Sequence, residues 1–193
     1  MTPSRKVQIA WLCLSIFLSQ SVEGNSGPYL QIDVGSSQTA ATIQAIRLQY
    51  AAINKGARRY RKVKKVLSGF SLEGGEMIAY FDGTAIVKIV ANHFGEMGRA
   101  SEEYYYSNGK LIFVYRKDYR YNRPMSGKVV ATRESRFYFQ NDRLIRWINE
   151  DGKQVAPTTD EFKQQQDEYL ESSGKFLTGA RSKSATIEAE GRM

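Results

Sequence analysis

The stretch EEYYYSNGKLIFVYRKDYRYNR, residues 102–123, decides the fold because a single Asn-Gly sits between two aromatic and aliphatic runs. Asn-Gly supplies two residues that tolerate positive φ, which is the demand of a two-residue type I′ hairpin turn. If Asn108-Gly109 is that turn, Ser107 pairs with Lys110, Tyr106 faces Leu111 and Tyr104 faces Phe113. Strict alternation then places Tyr104, Tyr106, Phe113 and Tyr115 on one side of a sheet. Glu103, Tyr105, Ile112, Val114 and Arg116 fall on the other.

Two further stretches repeat this construction. AYFDGTAIVKI begins at Ala79 and FYFQNDRLIRWI at Phe137, each with aromatic residues, a turn dipeptide and an aliphatic run. Counting outward from Asn141-Asp142 puts Phe137, Phe139, Leu144 and Ile148 on one face, and Arg136, Tyr138, Ile145 and Trp147 on the other. The intervals between copies differ, so the expectation is one antiparallel meander and not a solenoid. Burial is the ordinary fate of large aromatics at strand spacing, and Tyr104, Tyr106, Phe113, Phe137 and Phe139 are therefore expected in the core.

Upstream, Ile43, Ile46, Tyr50 and Ile53 recur at helical spacing, with Ser37 or Thr39 as a cap and Lys55-Gly56 as a stop. This helix, residues 37–55, has the apolar stripe to cover the core face of the sheet. Downstream, TTDEFKQQQDEYLESS reads as a short, weakly buried helix capped by Thr159, with Phe162, Tyr169 and Leu170 as its apolar contacts. The expected fold is α+β: an N-terminal amphipathic helix packed on an antiparallel meander of about seven strands, then a short C-terminal helix.

The N-terminus has the order of a secretory signal peptide: Arg5 and Lys6, an apolar run from Val7 to Leu18, then small and polar residues. The run is shorter than the roughly 20 residues a membrane-spanning helix needs, so no transmembrane anchor is expected after cleavage. The expected organisation is a signal peptide at 1–24, a flexible lead-in at 25–36, a single domain at 37–173 and a disordered tail at 174–193. Cys13 is the sole cysteine, so removing the leader excludes a disulfide framework. The address is then the periplasm or the exterior of a bacterium.

The chain carries 28 Lys and Arg against 20 Asp and Glu, a net +8, and loss of Arg5, Lys6 and Glu23 leaves +7. A basic surface attracts polyanions through a salt-screened field. Export makes nucleic acid an unlikely partner, and an anionic envelope component or a protein partner the expected one. The densest basic run, Arg58, Arg59, Arg61, Lys62, Lys64 and Lys65, is one binding surface to test. The other is the second sheet face, where Tyr105, Tyr138 and Trp147 lie among Arg116 and Arg136.

Catalytic and metal chemistry finds little footing. His93 is the lone histidine, with carboxylates such as Glu96, Glu102 and Glu103 as its only helpers, which is too few for a metal centre. Glu102 and Glu103 are adjacent on a strand and point to opposite faces, and Glu73 and Glu76 bracket the turn Gly74-Gly75. No serine lies in a nucleophile elbow. No cofactor is expected. The expected function is non-catalytic binding, with a glycan or peptidoglycan hydrolase as the alternative, built from carboxylates that folding brings together.

The recurrent aromatic-x-Asn-Gly-Lys-Leu hairpin resembles proteins built from short MORN-like hairpin repeats, including antitoxin-like bacterial repeat proteins. More broadly, GEMGRASEEYYYSNGKLIFVYRKDYRYNRP looks like a group of exported bacterial proteins with an N-terminal helix and a following antiparallel sheet. The resemblance spans roughly residues 76–149. It implies the fold and carries over no catalytic or binding residue.

Overall fold

A computed structural model of the chain describes residues 34–189. The expected signal peptide and all but the end of the lead-in lie outside these residues. The architecture is α+β. Helix α1 (Val34–Gly56) leads into seven strands: β1 (Arg61–Ser68), β2 (Gly75–Asp82), β3 (Ala85–Gly95), β4 (Gly98–Ser107), β5 (Lys110–Tyr121), β6 (Val129–Gln140) and β7 (Arg143–Ile148). Helix α2 (Asp160–Arg181) and a short strand β8 (Thr186–Glu188) follow. The strands form one sheet in the order β7-β6-β5-β4-β3-β2-β1-β8, antiparallel throughout except for β8 against β1.

The Asn-Gly turn forms as expected. Asn108 and Gly109 both have positive φ, as do Asn141 and Asp142, whereas Gly83 alone carries it in the first hairpin. Ser107 pairs with Lys110 and Tyr106 with Leu111, but Tyr105, not Tyr104, then pairs with Phe113. The reason is a β-bulge: Ile112 is an extra residue on β5 opposite the Tyr105/Tyr106 step. The same insertion recurs at the equivalent step of each hairpin, with Val87 opposite Tyr80/Phe81 and Ile145 opposite Tyr138/Phe139.

Each bulge moves the residues beyond it to the other face relative to strict alternation. Phe113 therefore joins Tyr105 and Tyr138, while Trp147 pairs with Phe137 and joins Tyr104, Tyr106, Phe139 and Leu144. The five aromatics expected in the core are all buried, but on two faces and not one.

A different helix covers each face. The α1 stripe of Ile43, Ile46 and Ile53 packs with Tyr105, Phe113 and Tyr138. Helix α1 begins at Val34, ahead of the expected caps, and Thr39 lies within it with its hydroxyl donating to the Gly35 carbonyl at 2.9 Å. It ends at Gly56, but that glycine does not take the left-handed backbone expected of a stop; it is needed because a Cβ there would lie 2.7 Å from the Tyr60 hydroxyl oxygen.

The opposite face is covered by α2, which is neither short nor weakly buried. Phe162, Tyr169 and Phe176 recur every seven residues and are buried, with Ala180 one turn further on. A helix of 22 residues is about 33 Å long, and the seven gaps of an eight-stranded sheet span about the same. Helix α2 uses that length to cross the sheet from one edge to the other. Gln166 accepts from the Leu144 amide on β7, Ser173 donates to the Tyr106 hydroxyl on β4, and Gly179 meets Ile187 on β8. Thr159 caps its start by accepting from the Phe162 amide at 3.2 Å.

The tail expected to be disordered from residue 174 is therefore ordered through 189. Residues 174–181 complete α2, and Thr186–Glu188 add to β1 in parallel. Among the described residues, no helix is long and apolar enough to cross a membrane.

Candidate functional site

The densest basic run does not form one surface. Arg58 and Arg59 lie exposed in the turn after α1, beside Lys55. Along β1 the side chains alternate faces. The Arg61 guanidinium stacks over Phe81 at 4.1 Å from the ring centroid, and the Lys62 ammonium lies over Tyr80 at 5.4 Å. Lys64 pairs with Glu76 at 2.6 Å. Lys65 is buried, and its ammonium donates to the Ser182 carbonyl at 2.9 Å and to that of Ser184. It is a clamp on the C-terminus of α2, not a ligand contact.

The aromatic set is also divided. Tyr105 is sealed beneath α1, where its hydroxyl donates to Glu103 and accepts from the Asn54 side chain at 2.9 Å. The Lys88 ammonium completes this network at 2.9 Å from Asn54 and 2.8 Å from Glu103. Burial pushes the Tyr105 phenol far above its ordinary value, and the bond to Glu103 adds to the effect. Trp147 lies on the other face, stacked on Phe137 with centroids 5.3 Å apart. Arg116 shares that face through its place beside Val114.

Arg116 belongs to a second buried network. Its guanidinium donates to Glu102 at 2.8 Å and grips Asp118 through two nitrogens. Glu102 also accepts from the Tyr104 hydroxyl at 2.7 Å and lies 3.3 Å from His93 Nε2. Burial opposes the Glu102 charge, but His93, Arg116 and Tyr104 together outweigh it and hold the carboxyl below its ordinary range. Both carboxylate oxygens are occupied, so the arrangement locks β3, β4 and β5 together. Among the described residues no cluster of His, Cys, Asp or Glu is arranged to hold a metal.

What remains of the expected second face is a cleft between α1 and the sheet, with a volume of about 470 Å³. Arg136, Tyr138, Phe113, Tyr115 and Ile148 contribute from the sheet, and Ile46, Arg47 and Tyr50 from α1. The bulge at Ile112 turns Phe113 toward this cleft, and Tyr50 meets its ring edge-on at 5.5 Å. Tyr138 lies against Phe113 with centroids 4.9 Å apart. Arg136 reaches over Tyr115 at 5.5 Å and donates to Glu134 at 2.8 Å. Desolvation raises the Tyr115 phenol well above its ordinary value, with Glu134 adding to it, so the ring stays neutral.

The cleft thus offers an aromatic box with an arginine from each wall. Its size falls in the range of small-molecule sites, and its lining mixes aromatic and aliphatic surface with two guanidinium and three phenol groups. Of the expected binding residues, it gathers Arg136 and Tyr138. Arg47, Tyr50 and Tyr115 complete it. Arg47 is one residue past Ile46 and three before Tyr50, a spacing that sets it at the border of the apolar stripe.

A second recess, of about 540 Å³, opens on the α2 face. Asp118, Glu150, Asp151, Glu161 and Glu168 line it together with Arg116, Phe137 and Trp147. No protein-family model matches this chain, and neither a curated protein nor a solved structure matches it significantly.

Proposed function

We propose that this protein is a non-catalytic binding protein of the bacterial envelope that holds an anionic ligand with an apolar or aromatic body. The ligand lies in the cleft between α1 and the sheet. The reading rests on one observation: Arg47 and Arg136 stand on opposite walls of a box built from Tyr50, Phe113, Tyr115 and Tyr138. Guanidinium groups beside rings pair with a carboxylate, sulfonate or phosphate while the rings enclose the ligand body. The envelope address comes from the order of residues 1–24 and the positive balance of the chain.

The test is titration of the full chain with anilinonaphthalene sulfonate and dodecanoate, followed by fluorescence and calorimetry. Arg47→Gln and Arg136→Gln are each expected to weaken binding about tenfold, which is the loss of one charge-assisted contact. Unchanged affinity in the double variant, with the fold intact, removes the cleft as the site.

A second reading attaches to the acidic recess, where folding gathers five carboxylates from β5, the β7–α2 connection and α2 beside two aromatic rings. A glycan hydrolase needs two of them about 5–9.5 Å apart across one bond. Release of reducing ends from peptidoglycan that disappears in Glu161→Gln or Glu168→Gln supports it. No release by the parent protein ends it.

A further inference from the structure

In an antiparallel meander, alternate turns gather at opposite ends of the sheet. At one end stand the turns at Gly83-Thr84, Asn108-Gly109 and Asn141-Asp142, all small or polar. At the other stand the β1–β2, β3–β4 and β5–β6 connections, and each places a large apolar residue in solvent: Leu72, Met97 and Met125. Among the described residues, six of the eight exposed large apolar side chains are at this end, the others here being Phe94, Val129 and Val130. That asymmetry exceeds the scatter of single exposed residues expected on any protein surface.

The three tips form one edge. The Phe94 amide donates to the Gly74 carbonyl at 2.9 Å, tying the first tip to the second. The Tyr121 and Met125 amides donate to the Met97 and Glu96 carbonyls at 2.8 Å, tying the second to the third. Met125 has φ of 53°, a backbone conformation that favours glycine or asparagine, and its side chain is 70 % exposed. The fold gains no packing from a methionine there, so its presence points outward to a contact made beyond the chain.

We propose that this end of the sheet docks on an anionic lipid bilayer, with Leu72, Met97 and Met125 inserted among the headgroups. Exposed Arg99, Arg120, Arg123 and Lys128 flank the tips, against Glu73, Glu96 and Glu188. Cations beside inserted apolar residues reach lipid phosphates, the combination by which peripheral proteins hold anionic membranes. Successive tips are two strand spacings apart, about 10 Å, so they form a row of separate points. A planar, deformable surface accepts such a row. A protein interface instead needs about 800 Å² of close-packed contact on each partner.

The test uses the full chain with Cys13→Ser, labelled with an environment-sensitive fluorophore at Met125→Cys or, as a control at the polar end, at Thr84→Cys. Vesicles of phosphatidylglycerol and phosphatidylcholine are compared with phosphatidylcholine alone. The expected result is a blue shift at position 125 and none at 84, only with phosphatidylglycerol and reversed by salt. In co-sedimentation, Leu72→Ser/Met97→Ser/Met125→Ser is expected to lower vesicle affinity about tenfold or more. An unshifted probe at 125 overturns the proposal and leaves the tips as a protein contact. Equal shifts at both positions, or triple-variant affinity equal to that of the parent, overturn it as well, because the attachment then lies elsewhere in the chain.

Discussion

The Lys65 ammonium lies 2.9 Å from the Ser182 carbonyl oxygen, joining the first strand to the residue that ends α2, more than a hundred positions later. It is a buried cation inside the most basic run of the chain, and its role is to satisfy carbonyls that a helix end leaves open. Lys65→Met is expected to lower stability by about 1.5–3 kcal/mol in urea unfolding, the usual worth of hydrogen bonds to a charged group. Lys62→Met, at an exposed site on the same strand, is expected to change it by no more than about 0.5 kcal/mol. Similar losses for the two would show that Lys65 is not the clamp.

Glu102 gives the molecule an acid limb. Its carboxyl is held below the ordinary value of 4.5, so its contribution is complete above that value in the unfolded chain. It is lost as pH falls through the lower folded-state value. Glu102→Gln leaves Arg116 facing a neutral amide in a buried network and is expected to cost on the order of 3 kcal/mol at neutral pH. The difference from the parent narrows in acid. Unfolding free energies measured across the acid range check the sign, and a gap that widens as pH falls would contradict this account.

Tyr105 links α1 to the sheet. Tyr105→Phe keeps the ring against Tyr50 and removes the hydroxyl that bonds Asn54 and Glu103. The expected cost is about 1–2 kcal/mol, because two half-buried polar groups, Asn54 and Glu103, lose a partner. Hydrogen exchange is expected to rise in α1 ahead of α2, since α2 packs on the opposite face. Exchange that rises equally in both helices would count against α1 docking through this network.

The turns were legible because Asn108-Gly109 and Asn141-Asp142 answer a local demand for positive φ. The capping of α2 was legible because a threonine hydroxyl answers another local demand, an open amide in the first turn. The faces were not. A bulge is one extra residue with no distinctive chemistry, and Val87, Ile112 and Ile145 look like ordinary strand residues. The full length of α2 was hidden by Ser172-Ser173-Gly174. Gly174 meets nothing where its Cβ would lie, and its helix-propensity cost is only about 1 kcal/mol, which burial of Phe176 offsets. Strand β8 carries no local signal, since it exists through parallel pairing with β1. The cleft inherited these gaps: Phe113 reaches it only through the bulge.

Deleting a bulge residue separates face assignment from simple counting. With Ile112 removed, Leu111, Phe113 and Val114 become consecutive and fall on the α2, α1 and α2 faces in turn, where they already lie. The pairs Tyr106 with Leu111 and Tyr105 with Phe113 survive as neighbours in the ladder. The loss is the half-buried Ile112 side chain, about 1–2 kcal/mol. Deleting Val114 instead pulls Tyr115 into its place beneath α2 and sends Arg116 to the α1 face, stripping Glu102 of its guanidinium. The Ile112 deletion is therefore expected to fold cooperatively with a modestly lowered Tm, and the Val114 deletion to fail. Equal failure of both, read by circular dichroism and thermal melts, would mean that the bulge itself is required for the twist of the sheet.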